Sequence, residues 1–118
     1  MLARAAPGWP HHPLVAPRPG EMAVEKRNSS AFHDTDLHRR LHERGIDRMV
    51  IAGMQTEMCV DSACRAAVSL GYRAVLVPDG HTTYDTPVIP ADLIISHHNR
   101  LLGRLLELGP ADQVRFQP

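Results

Sequence analysis

Three consecutive segments in the middle of the chain narrow the fold more than any other feature. The first, 48–53 (RMVIAG), is a continuous apolar run closed by glycine, which predicts a strand buried on both faces. The second, 58–70, reads as a helix, with Val60, Ala63, Cys64, Ala67 and Leu70 on one stripe and Gly71 closing it. The third, 74–77, reads as another buried strand, broken by Pro78, Asp79 and Gly80. A strand, a helix and a strand in this order form a parallel pair with a right-handed crossover.

The flanks extend that pattern. Pro90 opens a long helix whose Leu93, Ile94, His97, Leu101, Leu105 and Leu108 share a face, and 114–117 suits a last short strand. Upstream, Met22, Val24 and Lys26 alternate with Ala23 and Glu25, a short strand ending on a lysine. Thr35 then suits the N-cap of a helix that carries Leu37 and Leu41 on one face and stops at Gly45. The expected class is α/β, a Rossmann-like parallel sheet with flanking helices. The first twenty residues differ. They hold Pro7, Pro10, Pro13, Pro17 and Pro19, half of the ten prolines, which excludes helix and central strand. We read 1–20 as an extended arm and 21–118 as the folded domain.

At 118 residues there is room for one domain. Thirteen basic and thirteen acidic side chains cancel, so no global field is directed at nucleic acid or an anionic membrane. The pair Arg39 and Arg40, set among Asp36, Glu43 and Asp47, reads as a solvated helix face. Cys59 and Cys64 are five residues apart, about 140° out of phase on a helix, so they should not bridge. Free thiols, with no apolar run of signal-peptide or bilayer length, lead us to expect a reducing, cytoplasmic setting.

In a parallel α/β sheet, chemistry gathers where strand C-terminal ends meet helix N-termini. Here that place is Gly53-Met54-Gln55-Thr56-Glu57-Met58-Cys59. In a first helical turn, unpaired N–H groups favour a thiolate and can cradle an oxyanion. Cys59 is therefore either a nucleophile or a small buried core thiol, and Cys64, on the apolar stripe, is the core thiol. Lys26 either reaches solvent at a strand end or stands beside Cys59.

The runs PRPGEMAVEKRNSSAFHDTDL, RGIDRMVIAGMQTEMCVDSACRAAVSLGY and VPDGHTTYD with IISHHNRLL resemble the isochorismatase-like family of cysteine hydrolases. The resemblance covers nearly everything from Pro17 to about Leu102, and the EK, SAF and GMQTEMCV blocks in this order carry it. It implies that Cys59 is the nucleophile and that Lys26 favours its thiolate and orients the site. It implies a cis peptide between Met54 and Gln55, an oxyanion hole from the backbone N–H groups of Gln55 and Cys59, and a bracing role for Thr56. Trp9 and Tyr84 match aromatic positions near the family's substrate pocket, although Tyr84 also suits packing beside Pro87, and Phe32 reads as core.

One departure stands against these agreements. The family's third catalytic residue is an aspartate ending its first strand, whereas no aspartate precedes Asp34 here. By resemblance, a first β-α-β segment is lacking. Glu21 and Glu25 are the only earlier acids, and Glu21 and His81 are the remaining candidates for acid–base work. The expected function is hydrolysis of a small amide-type C–N bond through a Cys59 thioester, impaired by the absent carboxylate. The alternative is a non-catalytic fragment or pseudoenzyme that associates with a complete homologue. No metal is expected, since His97 and His98 should face apart on their helix. The expected partners are a small-molecule substrate and further copies of the chain, with no cofactor.

Overall fold

A computed structural model describes residue 6 and residues 8–116. Three parallel strands, β1 (Arg48–Met54), β2 (Arg73–Thr82) and β3 (Glu107–Leu108), lie side by side in that order. Helix α1 (Leu37–Glu43) precedes β1, α2 (Asp61–Ser69) joins β1 to β2, and α3 (Ala91–Leu102) joins β2 to β3. The fold is α/β, a parallel sheet with flanking helices. Its core is built from Val60, Cys64 on α2, Leu76 on β2 and Leu102 on α3, with Ile51, Leu106 and Leu108 packed around them. Burial of each such aliphatic side chain is worth about 1.5–3 kcal/mol.

β1 and β2 pair in simple register from Arg48↔Arg73 to Ile51↔Leu76, and pairing then resumes at Gly53↔His81 and Met54↔Thr82. Ala52 thus stands against 77–80, where β2 carries a bulge. Pro78 has no N–H to give the ladder. Gly80 folds so tightly onto Val77 that an added Cβ would lie 2.7 Å from Cγ1 of Val77. The sequence reading ended this strand at Val77. The structure carries it to Thr82, because the interruption is a bulge rather than a stop.

Other expectations are corrected in the same way. Residues 22–26 keep their alternation, with Met22, Val24 and Lys26 half-buried and Glu21, Ala23 and Glu25 exposed, but they form no strand. Period-two patterning sets which side faces inward, while a strand also requires a neighbour for its backbone, and none pairs here among the described residues. β1 is not buried on both faces: alternate residues are exposed, including Val50 at 38 %, because it pairs only with β2 among those residues. The N-cap of α1 is Asp36 rather than Thr35, whose hydroxyl still accepts from the Leu37 N–H at 3.3 Å.

α2 ends one residue early, so Leu70 leaves the buried stripe and is 43 % exposed. On α3 the buried positions are Ile94 and Leu102, while Leu93 and His97 are exposed. The helix stops at Gly103, where a Cβ would meet Asn99 O at 2.9 Å and Leu108 at 3.2 Å. Leu105 and Leu108 therefore lie beyond the helix, and Leu108 enters β3. That strand, not 114–117, completes the sheet; Val114 to Phe116 form no strand, and Gln117 lies outside the described residues.

Of the arm over 1–20, residues 1–5 and 7 lie outside the described residues. The rest is mostly exposed, with a short 3-10 turn at Pro13–Val15 and a turn at Gly20 (φ 88°). Arg39 bridges Glu43 at 2.8 Å and Asp36 at 3.1 Å on the exposed face of α1. Among the described residues no helix is long and apolar enough to cross a membrane.

Candidate active site

The end of β1 leads into the segment singled out from the sequence. The Met54–Gln55 peptide is cis. Immediately after it the chain makes a widened, π-type helical turn, Thr56–Val60, which runs on into α2. The Gln55 carbonyl accepts from the N–H groups of both Met58 and Val60 at 3.1 Å. Such wide turns recur at functional sites. The sequence reading began this helix at Met58. Helical coiling in fact starts at Thr56, so the first turn that holds Cys59 is this wide one, and Cys59 is half-buried in it.

Lys26 reaches this turn from the extended segment 21–26. Its Nζ donates to Cys59 Sγ at 3.2 Å, to Asn28 O at 2.7 Å and to Ser29 O at 3.1 Å. An ammonium has three N–H donors, and these three acceptors use all of them. The two backbone carbonyls fix the cation, and the third N–H points at sulfur. Of the two readings open for Lys26, solvent or a place beside Cys59, the geometry has the second. Phe32 is half-buried rather than core, stacked on Tyr72 with centroids 5.8 Å apart, which fastens the loop after Lys26 to the start of β2.

Thr56 is fully buried, and its hydroxyl meets Nδ1 of His81 at 2.8 Å. His81 is 6 % exposed, and its Nε2 lies 2.7 Å from Asn99 Oδ1 on α3. The Asn99 amide in turn donates to Pro78 O at 3.0 Å. Beside this chain, Thr83 donates to Glu57 at 2.5 Å. The sequence reading missed Asn99, Glu57 and Thr83, and it took His81 for an acid–base candidate. With both ring nitrogens occupied in a buried setting, His81 does not face a reacting group. The bulge at 77–80 brings it here, and no periodicity in the sequence announces a bulge.

Tyr84 is 65 % exposed, Trp9 is half-buried, and Glu21 caps a surface turn by accepting from the Arg18 N–H at 2.8 Å. Cys64 is fully buried, and burial first, then the nearby Asp61 carboxylate, pushes its thiol up to about 11. The rings of His97 and His98 do not face apart but meet edge-on at 5.6 Å, because His98 turns back to donate to Ile94 O at 2.8 Å. No group of three His, Cys, Asp or Glu that could hold a metal occurs among the described residues. An open recess of about 630 Å³, lined by Met49, Tyr72, Val75 and Phe116, lies by the N-terminal starts of β1 and β2, at the end of the strands opposite Cys59.

The isochorismatase domain model matches residues 2–88. A streptothricin hydrolase of Streptomyces noursei is 37% identical over 112 residues, 95% of this chain and 40% of that protein. A maleamate amidohydrolase of Pseudomonas putida is 38% identical over 63 residues, 53% of this chain and 30% of that protein. The crystal structure of an isochorismatase from Pseudomonas putida superposes with a TM-score of 0.88 at 29% identity, covering 93% of this chain and 59% of that one. The chain thus spans less than half the length of these two sequence relatives.

Proposed function

This chain belongs to the isochorismatase family, and on that premise we propose that it carries the nucleophile of an amidohydrolase at Cys59. The observation that supports this reading is the Lys26 ammonium donating to Cys59 Sγ at 3.2 Å. A cation held against sulfur by two other hydrogen bonds stabilises negative charge on it. The thiolate attacks the carbonyl carbon of a small amide, and the C–N bond breaks as the nitrogen leaves with a proton. Water then attacks the thioester and releases the acid. Backbone N–H groups of Gln55 and Cys59 hold the oxyanion formed in each half. An amide substrate accords with the maleamate amidohydrolase among the relatives. Among the described residues neither Lys26 nor Cys59 has a carboxylate as a hydrogen-bond partner, which favours acylation over turnover in this reading.

The test is to trap the intermediate. An activated acetate ester mixed with the protein should leave one acetyl group on the peptide containing Cys59, and none in Cys59→Ala. Acetyl on lysines alone would overturn the assignment.

A second reading has one observation in its favour. β1 pairs on one side only among the described residues, with Val50 and Met54 exposed along it. An open edge of this kind suits association with another chain, in which this one acts without turning over substrate itself.

A further inference from the structure

The polar groups behind the Cys59 turn have fixed directions. Pro78 O can only accept, so the amide nitrogen of Asn99 faces it and Asn99 Oδ1 faces His81. An amide oxygen can only accept, so His81 Nε2 carries its proton and donates. In the neutral ring Nδ1 is then bare, and the Thr56 hydroxyl donates to it. Each group has one role, and the chain runs Thr56 to His81 to Asn99 to Pro78. It joins the wide turn to β2 and α3, three elements that meet at this one end of the sheet.

We propose that His81 is a positioning residue, which holds the Cys59 turn in place through the Thr56 hydroxyl while Asn99 fixes its tautomer. This rests on Cys59 being the nucleophile. Thr56 and Val60 are the buried side chains of the wide turn and bracket Cys59; of these two Thr56 carries a directional bond, and the half-buried Glu57 accepts a second one from Thr83. Lys26 comes from a different part of the chain, so its 3.2 Å contact with sulfur exists only while the turn keeps its place. A shift of about 1 Å at a reacting group can cost on the order of 100-fold in rate.

The test uses two substitutions that split the ring's two bonds. In His81→Asn the side-chain oxygen takes the place of Nδ1, keeps the acceptor for Thr56 and gives up Asn99. In His81→Gln the amide nitrogen takes the place of Nε2, keeps the donor to Asn99 and gives up Thr56. Each variant loses one buried hydrogen bond, so a merely structural role predicts equal effects. The readout is the rate of iodoacetamide alkylation at Cys59, followed by peptide mass spectrometry on the whole chain. We expect His81→Asn to stay within about threefold of the parent and His81→Gln to fall about tenfold or more. Equal rates, or the reverse order, overturn the proposal. Should either His81 variant fail to fold, Thr56→Ser and Thr56→Val decide: the hydroxyl-bearing variant should keep the rate, the valine should lose it, and equality overturns. If the parent's Cys59 reacts no faster than Cys64, the nucleophile reading itself has failed. A reactive parent with an unchanged His81→Gln fails only the positioning role.

Discussion

The amine of Lys26 lies 3.2 Å from the sulfur of Cys59, across 33 residues of sequence. Nothing local demands this contact. Lys26 sits in an extended segment that joins no strand among the described residues, and the carbonyls of Asn28 and Ser29 turn its ammonium toward the helix turn that follows β1. Removing the charge should therefore change the thiol more than the fold. Lys26→Ala is expected to slow Cys59 alkylation roughly 10- to 100-fold, the worth of a hydrogen bond to a charged group of about 1.5–3 kcal/mol. Stopped-flow alkylation at neutral pH measures this, and an unchanged rate would show that the ammonium does nothing for sulfur.

The two thiols should differ sharply. Cys64 is fully buried and its thiol is pushed up to about 11, so at pH 8 only about one molecule in a thousand carries that thiolate. Limiting alkylating agent on folded protein, followed by peptide mass spectrometry, should label Cys59 well before Cys64. Equal labelling would remove the physical case for Cys59.

Cys64 also makes stability depend on pH. Its folded value lies above the ordinary 9.0, so the folded state keeps a proton that the unfolded chain has begun to lose. Stability from this group is full below about pH 9 and declines as pH rises toward about 11. Thermal melts across that window should show the decline, and Cys64→Ala, though less stable throughout, should show a flatter slope. An identical slope in the variant would assign the decline to other groups.

The architecture was legible because its signals are local: RMVIAG, the helix carrying Cys64 and the AVLV run became β1, α2 and β2 in the expected order. The same local logic put Cys59 in the first turn of its helix and left a place beside it as one of two readings for Lys26, and the family resemblance chose between them. What stayed hidden depends on pairing. The bulge opposite Ala52 decides that His81 meets Thr56, and the stop at Gly103 decides that Leu108 enters β3 instead of extending α3. Both are set by close approaches between distant atoms, which no window of sequence contains. The alternation at 22–26 misled for the opposite reason, since it records facing but not partners.

The side of β1 that pairs with no strand among the described residues leads to an expectation about association. A strand with Val50 38 % and Met54 49 % exposed offers both backbone groups and apolar surface to another strand. With total stability of about 5–15 kcal/mol for a domain, little is needed to favour oligomers over the lone chain. Sedimentation velocity should show species larger than a monomer, and Val50→Lys should shift the distribution toward the monomer. A monomer with a cooperative melt at every concentration would contradict this.

The last expectation separates acylation from turnover. An activated ester has a leaving group that departs without a proton, so Lys26 and the wide turn suffice for Cys59 to take the acyl group. An amide nitrogen must be protonated as it leaves, and the thioester then needs an activated water. Among the described residues the hydrogen bonds of Cys59 and Lys26 include no carboxylate for either task, and His81 has both ring nitrogens committed to Thr56 and Asn99. General acid–base help of this kind is worth about 10²–10⁴-fold. This 118-residue chain should therefore show a burst of about one equivalent of product from an activated ester, then a slow phase. With small amides its turnover should be slower by about that same 10²–10⁴ factor, or undetectable. Both the burst and any amide turnover should vanish in Cys59→Ala. Steady amide hydrolysis without a burst, and lost with Cys59, would mean that a group outside these contacts supplies the proton, and the carboxylate of Glu57 beside Thr83 would be the first to replace with glutamine.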